Sequence, residues 1–343
     1  MLTPWALRPD LRRRPWGGDR LATRWAAGEP AIERGRQPVG EAWLAGPWSR
    51  VAEGHDAGRE VADLVAEHGA ALLGSAPWAR YGARFPLLVK LLDAAEPLSL
   101  QVHPDDAYAL RHEAASGHLG KTEAWWVLSA EPGARVTWGF AREVTRDELA
   151  RAAASGRWAP LLRELSVAAD DVVVNPAGTV HALGAGLMVY EVQQASDLTY
   201  RLFDHGRLGA DGRPRQLHLA QALAVARLTP GEAPAPAPIA RAPGRVERAR
   251  TDAFVLEAIE PRAAGVAPEG VAWDVGPASF ELLTDLGDAA RGVAGTLRWR
   301  GGEATLSPGS SWLLPAGLGP VALRGASPCA RCWVPAGPRT PPA

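Results

Sequence analysis

FPLLVKLLDAAEPLSLQVHPDD, residues 85–106, is the stretch on which both the fold and the chemistry of this chain turn. Residues two apart on a β-strand share a face. Gln101 and His103 alternate with Leu100 and Val102, so they are expected to project together into one pocket. Lys90 sits inside an apolar run, where burial is costly unless its ammonium reaches a polar cavity, so it too is expected to face a pocket. Pro104 lacks an N–H and suits a strand end. Asp105 and Asp106 read as turn residues.

Two further stretches complete a pattern. In GKTEAWW (120–126), Lys121 and Glu123 are two apart and precede a buried strand, so both should face that same pocket. In VVVNPAGTVHALG (172–184), a strand and a tight turn present His181. Two imidazoles, a carboxylate and an amide oxygen make a four-ligand divalent-metal site with room for a substrate oxygen. Alone, a Gln-x-His pair in a strand is more often hydrogen-bonded core than metal ligand. The Gly-Lys-Thr triplet is no phosphate-binding P-loop: Ala115 stands where the upstream glycine is required, and a strand rather than a helix follows.

Length and composition bound the rest. The chain has 343 residues, enough for two domains, and a formal net charge of -1. The charge excludes the basic footprint of a nucleic-acid binder. Apolar runs fall short of the roughly 18 residues of a bilayer span, and the first twenty residues lack a signal-peptide core. A cytoplasmic monomer with no membrane or nucleic-acid partner is expected. Cys329 and Cys332 could serve redox or metal chemistry, but no second cysteine pair completes a zinc site, and packing is the expected role. Lys90 and Lys121 are the only lysines among 37 basic residues, and both fall in the opening region. An ammonium is a compact, titratable charge and a guanidinium is not, so both lysines are read as chemical.

Along the chain, Trp16-Gly17-Gly18 is expected to pack backbone closely under a sheet. Glu41 and Trp43 have strand spacing, with Glu41 read as solvated. Residues 56–74 read as one amphipathic helix stopped by Gly74, with His68 packed on its stripe. Residues 106–120 form a helical or irregular connector with His112 and His118 facing solvent. ARVTWGF (134–140) reads as a strand, and residues 144–164 as a helix capped by Thr145 and Glu148. QLHLAQALAVARL (216–228) is helical, His205 and His218 are surface or capping groups, and 229–245 is a Pro/Ala linker. Beyond residue 246 the chain is strand-rich and has no histidine; a structural or rim role is expected there.

PLLVKLLDAAEPLSLQVHPDD (86–106), GKTEAWW, NPAGTVHALGAG (175–186) and YEVQQASDLTYRLFD (190–204) together resemble the type I mannose-6-phosphate (phosphomannose) isomerases, short bacterial form. RRPWGG (13–18) and VGEAW (39–43) resemble that family too. The resemblance covers roughly residues 5–230 well and the remainder weakly. It implies a mainly β fold of two cupin-like jelly-roll barrels with short helical insertions. The expected units are a catalytic domain over 1–235 and a degenerate cupin-like domain over 246–343. It implies one zinc ion per chain on Gln101, His103, Glu123 and His181, and interconversion of mannose 6-phosphate and fructose 6-phosphate through a cis-enediol. The family's catalytic arginine falls on Arg201; Lys121 and Glu191 are further catalytic candidates, and Lys90 and Arg201 candidates for the phosphate. Arg201 could instead be scaffold paired with Asp197 or Asp204, and Glu191 simply salt-bridged. The helical segment near 144–164 would be a short counterpart of the long members' insertion. Other readings are a different metal-dependent cupin enzyme, such as an iron oxygenase, or a non-catalytic sugar-binding cupin.

Overall fold

The computed structural model describes residues 2–24, 38–209, 212–232, 235–287 and 293–337. It is mainly β, 40% strand against 16% helix. Two antiparallel sheets enclose the site. One has six strands, in the order Val172–Asn175, Glu123–Ala130, Leu187–Gln194, Leu87–Ala94, Asp10–Gly18, Val39–Ala45. The other has five, in the order Tyr200–Phe203, Leu100–Val102, His181–Leu183, Arg135–Phe140, Leu162–Ser166. Trp16, Leu92, Trp125, Val127, Trp138, Val173 and Val189 pack within this part of the molecule.

The central strands of the six-stranded sheet are buried on both faces, which is why FPLLVKLLDA reads as an almost unbroken apolar run. Every residue of Leu87–Ala94 and of Leu187–Gln194 is buried. Leu87, Val89 and Leu91 join a core with Leu256, Leu282 and Cys332 of the C-terminal region. Lys90, Leu92 and Ala94 alternate with them, which puts Lys90 on the inner face with Leu92 and Ala94 of the other core.

The C-terminal strands build two more sheets. The eight-stranded one includes Val255–Ile259, Cys329–Trp333, Glu281–Asp285 and Ser311–Leu314, and it is completed by Trp5–Arg8 and Arg50–Val51 from the start of the chain. Trp5 pairs with Leu313 and Leu7 with Ser311. Strands from the two ends of the sequence therefore share one sheet. Against it stands a four-stranded sheet over a filled apolar core of Trp273, Trp312, Leu314 and Val321.

Several sequence expectations change. Residues 56–74 form helix Val61–His68, a break at Gly69, and a separate turn of helix Ala70–Leu73. The helix expected over 144–164 is Arg146–Ser155, with the Thr145–Glu148 capping box in place. Its last part is strand Leu162–Ser166, whose backbone pairs with Arg135–Phe140. The expected linker 229–245 contains strand Ile239–Ala242, hairpin partner of Arg245–Arg250; residues 233–234 lie outside the described residues. His118 is half-buried and edge-on to Trp48, whereas His112 is exposed beside Tyr108. His68 stacks on Trp5 at 6.0 Å. Cys329 and Cys332 are free and buried. Being three apart on one strand, they face different cores, so they neither pair nor share a ligand.

Trp16-Gly17-Gly18 ends strand Asp10–Gly18 rather than forming a turn, and it does bring backbones together. A Cβ on Gly17 would stand 2.6 Å from both the Cα and the N of Gly40. Gly17→Ala is expected to force the two strands apart and destabilise the fold by about 1–3 kcal/mol; chemical denaturation of variant and wild type checks this.

Candidate metal centre and active site

Strand register assembles the site from residues distant in sequence. On the five-stranded sheet, Gln101 is paired with His181 on one side and with Arg201 on the other. On the six-stranded sheet, Glu191 lies opposite both Lys90 and Trp125, and Lys90 lies opposite Trp43. Directly opposed residues have side chains within contact distance, and these are. Lys90 Nζ is 3.0 Å from Glu191 Oε1, Trp125 Nε1 donates to Glu191 Oε2 at 2.9 Å, and Lys90 Nζ stands 5.0 Å from the Trp43 ring centroid.

Beneath a cavity of about 650 Å³, His103, Glu123 and His181 form a buried cluster whose potential ligand atoms lie within 4.8 Å of one another. Each imidazole is oriented from behind. His103 Nδ1 is 2.8 Å from the Leu198 carbonyl and His181 Nδ1 is 2.8 Å from the Thr179 carbonyl. A carbonyl only accepts, so Nδ1 carries the proton in each ring and Nε2 presents a lone pair. Both lone pairs point at Glu123, with Nε2 of His103 at 3.4 Å and Nε2 of His181 at 3.1 Å from its oxygens. Burial, then Lys121, pulls the His103 imidazole down to about 3 despite Glu123, so it is neutral at ordinary pH.

Acceptor therefore faces acceptor at the centre of the cluster. Glu123 is 0% exposed; Lys121 sits at ion-pair distance from its Oε2, and its Oε1 accepts no hydrogen bond among the described residues. Burial acts to raise its carboxyl, yet the Lys121 ammonium beside it holds it well below the usual carboxylate range. Two imidazole lone pairs and an anionic carboxylate with unused lone pairs are the donor set of a divalent cation. Gln101 borders the cluster with its amide nitrogen 3.4 Å from His181 Nε2. The near-isosteric turn of the amide puts Oε1 at that position, because amide oxygen and nitrogen are assigned from their partners.

The walls of the cavity are rich in charge. Lys121 Nζ lies 3.1 Å from Glu123 Oε2 and donates to His103 Nε2 at 3.2 Å. Burial opposes its charge, but Glu123 and Glu191 outweigh burial and raise its pKa, so the ammonium persists. Arg201 is half-buried at the rim. Its Nε reaches Ser99 Oγ at 3.3 Å and Nη1 reaches the Gln216 carbonyl at 3.1 Å. Among the described residues it forms no ion pair, because Asp204 is taken by Arg207 and Arg215. Burial and Arg215 lower the Arg201 pKa, as befits a guanidinium without a counter-ion. Glu191, by contrast, is salt-bridged to Lys90 as well as facing the cavity.

Two sequence readings are corrected here. Glu41 is no solvated strand carboxylate: it lines the cavity and takes Arg14 through both oxygens, at 2.8 and 3.1 Å. Burial would raise it, but Lys90 and Arg14 hold it at about 2. The alternation Glu41-x-Trp43 was its signal, the same spacing that identified Gln101 and His103. His218 stands at the N-cap position of helix Leu219–Val225, as expected of a capping residue, although its side chain makes no cap hydrogen bond, and it is no surface group. It lines the cavity, and its Nδ1 accepts the backbone N–H of Arg201 at 3.2 Å. His205 is exposed, with Nε2 3.1 Å from the Leu98 carbonyl.

With this geometry in view, the family is decided by comparison with known proteins. The chain is 40% identical over 229 residues to a mannose-6-phosphate isomerase of Streptococcus mutans, an alignment spanning 66% of this chain and 68% of the relative. The chain belongs to the type I phosphomannose isomerases. The sequence profile of "Phosphomannose isomerase type I, catalytic domain" matches residues 5–121. Mannose-6-phosphate isomerase ManA of Bacillus subtilis is 38% identical over 226 residues, 65% of this chain and 67% of the relative. In three dimensions, a crystal structure of a mannose 6-phosphate isomerase from Bacillus subtilis superposes with a TM-score of 0.80 at 30% identity, covering 96% of this chain and 99% of that one. A zinc-bound mannose 6-phosphate isomerase superposes with a TM-score of 0.75 at 19% identity, over 97% of this chain and 100% of that one, and so shares the fold. The architecture is the cupin fold of these phosphomannose isomerase neighbours.

If the cluster is a metal site, a divalent cation should stabilise the folded chain by about 4 kcal/mol at a thousand times its dissociation constant. Calorimetry with and without added zinc or cobalt reads this, and Glu123→Gln should remove the shift.

Proposed function

We propose that this protein is a zinc-dependent aldose–ketose isomerase that interconverts mannose 6-phosphate and fructose 6-phosphate. The observation that carries the reading is the buried His103–Glu123–His181 cluster beneath a cation-lined cavity, in a chain of this family. Gln101 completes the ligand set, giving one zinc per chain. When bound, the metal supplies Lewis-acid polarisation to the sugar oxygens.

The remaining chemistry falls to the chain's own side chains. Isomerisation transfers a proton between C2 and C1 through a cis-enediol, which requires a proton carrier and positive charge where enediolate oxygens develop. Glu191 is assigned the proton. Its carboxylate is fixed by Lys90 and Trp125 at the cavity wall, whereas Glu41 is too acidic to serve as a base. Lys121 and Arg201 supply the positive charge, and Arg201 together with Lys90 binds the phosphate. Arg201 suits an anion because no carboxylate of the described residues occupies it, and a guanidinium matches phosphate bidentately.

Two units are inferred, a catalytic one over 1–235 and a C-terminal one over 246–343, supported by their separate sheet pairs and with strand Trp5–Arg8 lent to the second. Free, buried Cys329 and Cys332 fit the reducing cytoplasm, and among the described residues no helix is long and apolar enough to cross a membrane.

The zinc-loaded protein should convert mannose 6-phosphate to fructose 6-phosphate, lose the activity on chelation and regain it with zinc. Absence of turnover in the metal-loaded protein overturns the reading. Bound iron with oxygen consumption would favour an oxygenase, and sugar-phosphate binding without turnover a binding protein. Lys121→Arg keeps the formal charge but not its compactness, so kcat/KM should fall by about 10- to 100-fold; steady-state kinetics at matched zinc content decide it.

A further inference from the structure

The three backbone amides around Lys121 are all committed, and two of them converge on one side-chain relay. Gly120 N donates to Asp106 Oδ1 at 2.9 Å. Lys121 N donates to the Pro104 carbonyl at 2.9 Å. Thr122 N donates to Gln194 Oε1 at 2.9 Å. The relay closes because Gln194 Nε2 donates to the same Asp106 Oδ1 at 2.8 Å. One carboxylate oxygen thus binds Gly120 directly and Thr122 through Gln194. A side chain on Gly120 would run into the backbone of Asp105 and Asp106, so the loop lies flat against that turn.

Asp106 is itself held from outside. Arg80 Nη2 reaches its Oδ2 at 3.4 Å, and Arg80 Nη1 donates to the Asp252 carbonyl at 2.5 Å. Helix Ser75–Tyr81, which carries Arg80, is tied in turn to the C-terminal region by Ser75 N to the Pro277 carbonyl and Ala76 N to the Ala278 carbonyl. Asp105 does the ordinary capping work of helix Asp106–His112 by accepting from Tyr108 N. Asp106 is not needed as that cap, and its Oδ1 is spent on the Lys121 loop.

We propose that Asp106 and Gln194 are positioning residues that fix the ammonium of Lys121 over the metal cluster, with Arg80 linking that clamp to the C-terminal region. Lys121 Nζ lies 3.1 Å from Glu123 Oε2, and a side chain with four rotatable bonds holds such a position only from a fixed backbone. The inference rests on the proposed isomerase function for its kinetic consequence, though not for its structural one.

Composition provides a direct readout, because the chain has only two lysines. Protein labelled with 13Cε-lysine gives one side-chain signal each for Lys90 and Lys121, assigned through Lys121→Arg. Asp106→Ala should shift or broaden the Lys121 signal and leave that of Lys90 in place. It should lower kcat by about 10- to 100-fold with little change in KM and with zinc content retained. Asp106→Asn keeps the acceptor oxygen and should restore both signal and rate. Gln194→Met, which removes the Thr122 acceptor at similar volume, should reproduce the effect should Asp106→Ala not fold. An unmoved Lys121 signal, or a loss of rate that merely follows loss of zinc, overturns the inference. A moved signal in a protein that does not isomerise mannose 6-phosphate leaves the clamp standing and removes the functional reading instead.

Discussion

A carboxylate sealed from water opposite two imidazole lone pairs is the constraint around which this molecule is built. Taking a carboxylate out of water costs several kcal/mol unless an opposite charge accompanies it. At Glu123 the accompanying charges are the Lys121 ammonium and, in the proposed holoenzyme, a divalent cation. The backbone carbonyls of Leu198 and Thr179 fix which nitrogen of each histidine bears the proton. They therefore turn both Nε2 lone pairs toward the carboxylate before any ion arrives. Such preorganisation leaves little rearrangement to be made on binding.

The inner faces of two sheets divide the chemistry between them. The five-stranded sheet contributes Gln101, His181 and Arg201 in one cross-strand row. The six-stranded sheet contributes Glu123, and a row of Trp125, Glu191, Lys90 and Trp43. A slip of one residue in any of these strands would turn its polar groups onto the opposite face. For the six-stranded sheet that face is a core shared with the C-terminal strands, where a lysine or glutamate would be stranded. Burial on both sides thus guards the register that makes the site. It also gives the C-terminal region a part in holding the site's geometry.

Much of the centre is legible in the amino-acid sequence alone. Gln101, His103, Lys121 and Glu123 are readable because period-two spacing in a strand decides which side chains share a face, and nearby residues settle it. His181 is readable from the tight turn that precedes it. Glu41 has the same period-two spacing with Trp43, but its partner, Arg14, lies on another strand 27 positions away, and the spacing alone does not tell a paired cavity carboxylate from a solvated one. The place of His218 is hidden for a like reason: its partner is the backbone of Arg201, brought up by the packing of helix Leu219–Val225 beside strand Tyr200–Phe203. The helix expected to reach 164 stops at Ser155 because Gly156 caps it in the left-handed region, a local signal, and Leu162–Ser166 then takes the sheet edge beside Arg135–Phe140. Local propensity knows nothing of such an edge.

By itself the sequence determined the mainly β character, the face on which each nearby polar residue lies, the candidate metal donors and the family resemblance. These depend on short-range periodicity and on residue chemistry, both of which are local. Only the tertiary structure decided that Trp5–Arg8 completes the C-terminal sheet, that among the described residues Arg201 is left without a carboxylate while Arg207 and Arg215 take Asp204, and that Asp106 and Gln194 hold the Lys121 loop. Those outcomes are competitions among partners far apart in the chain. Distance and burial in the folded state settle such competitions, and neither can be read from one strand at a time.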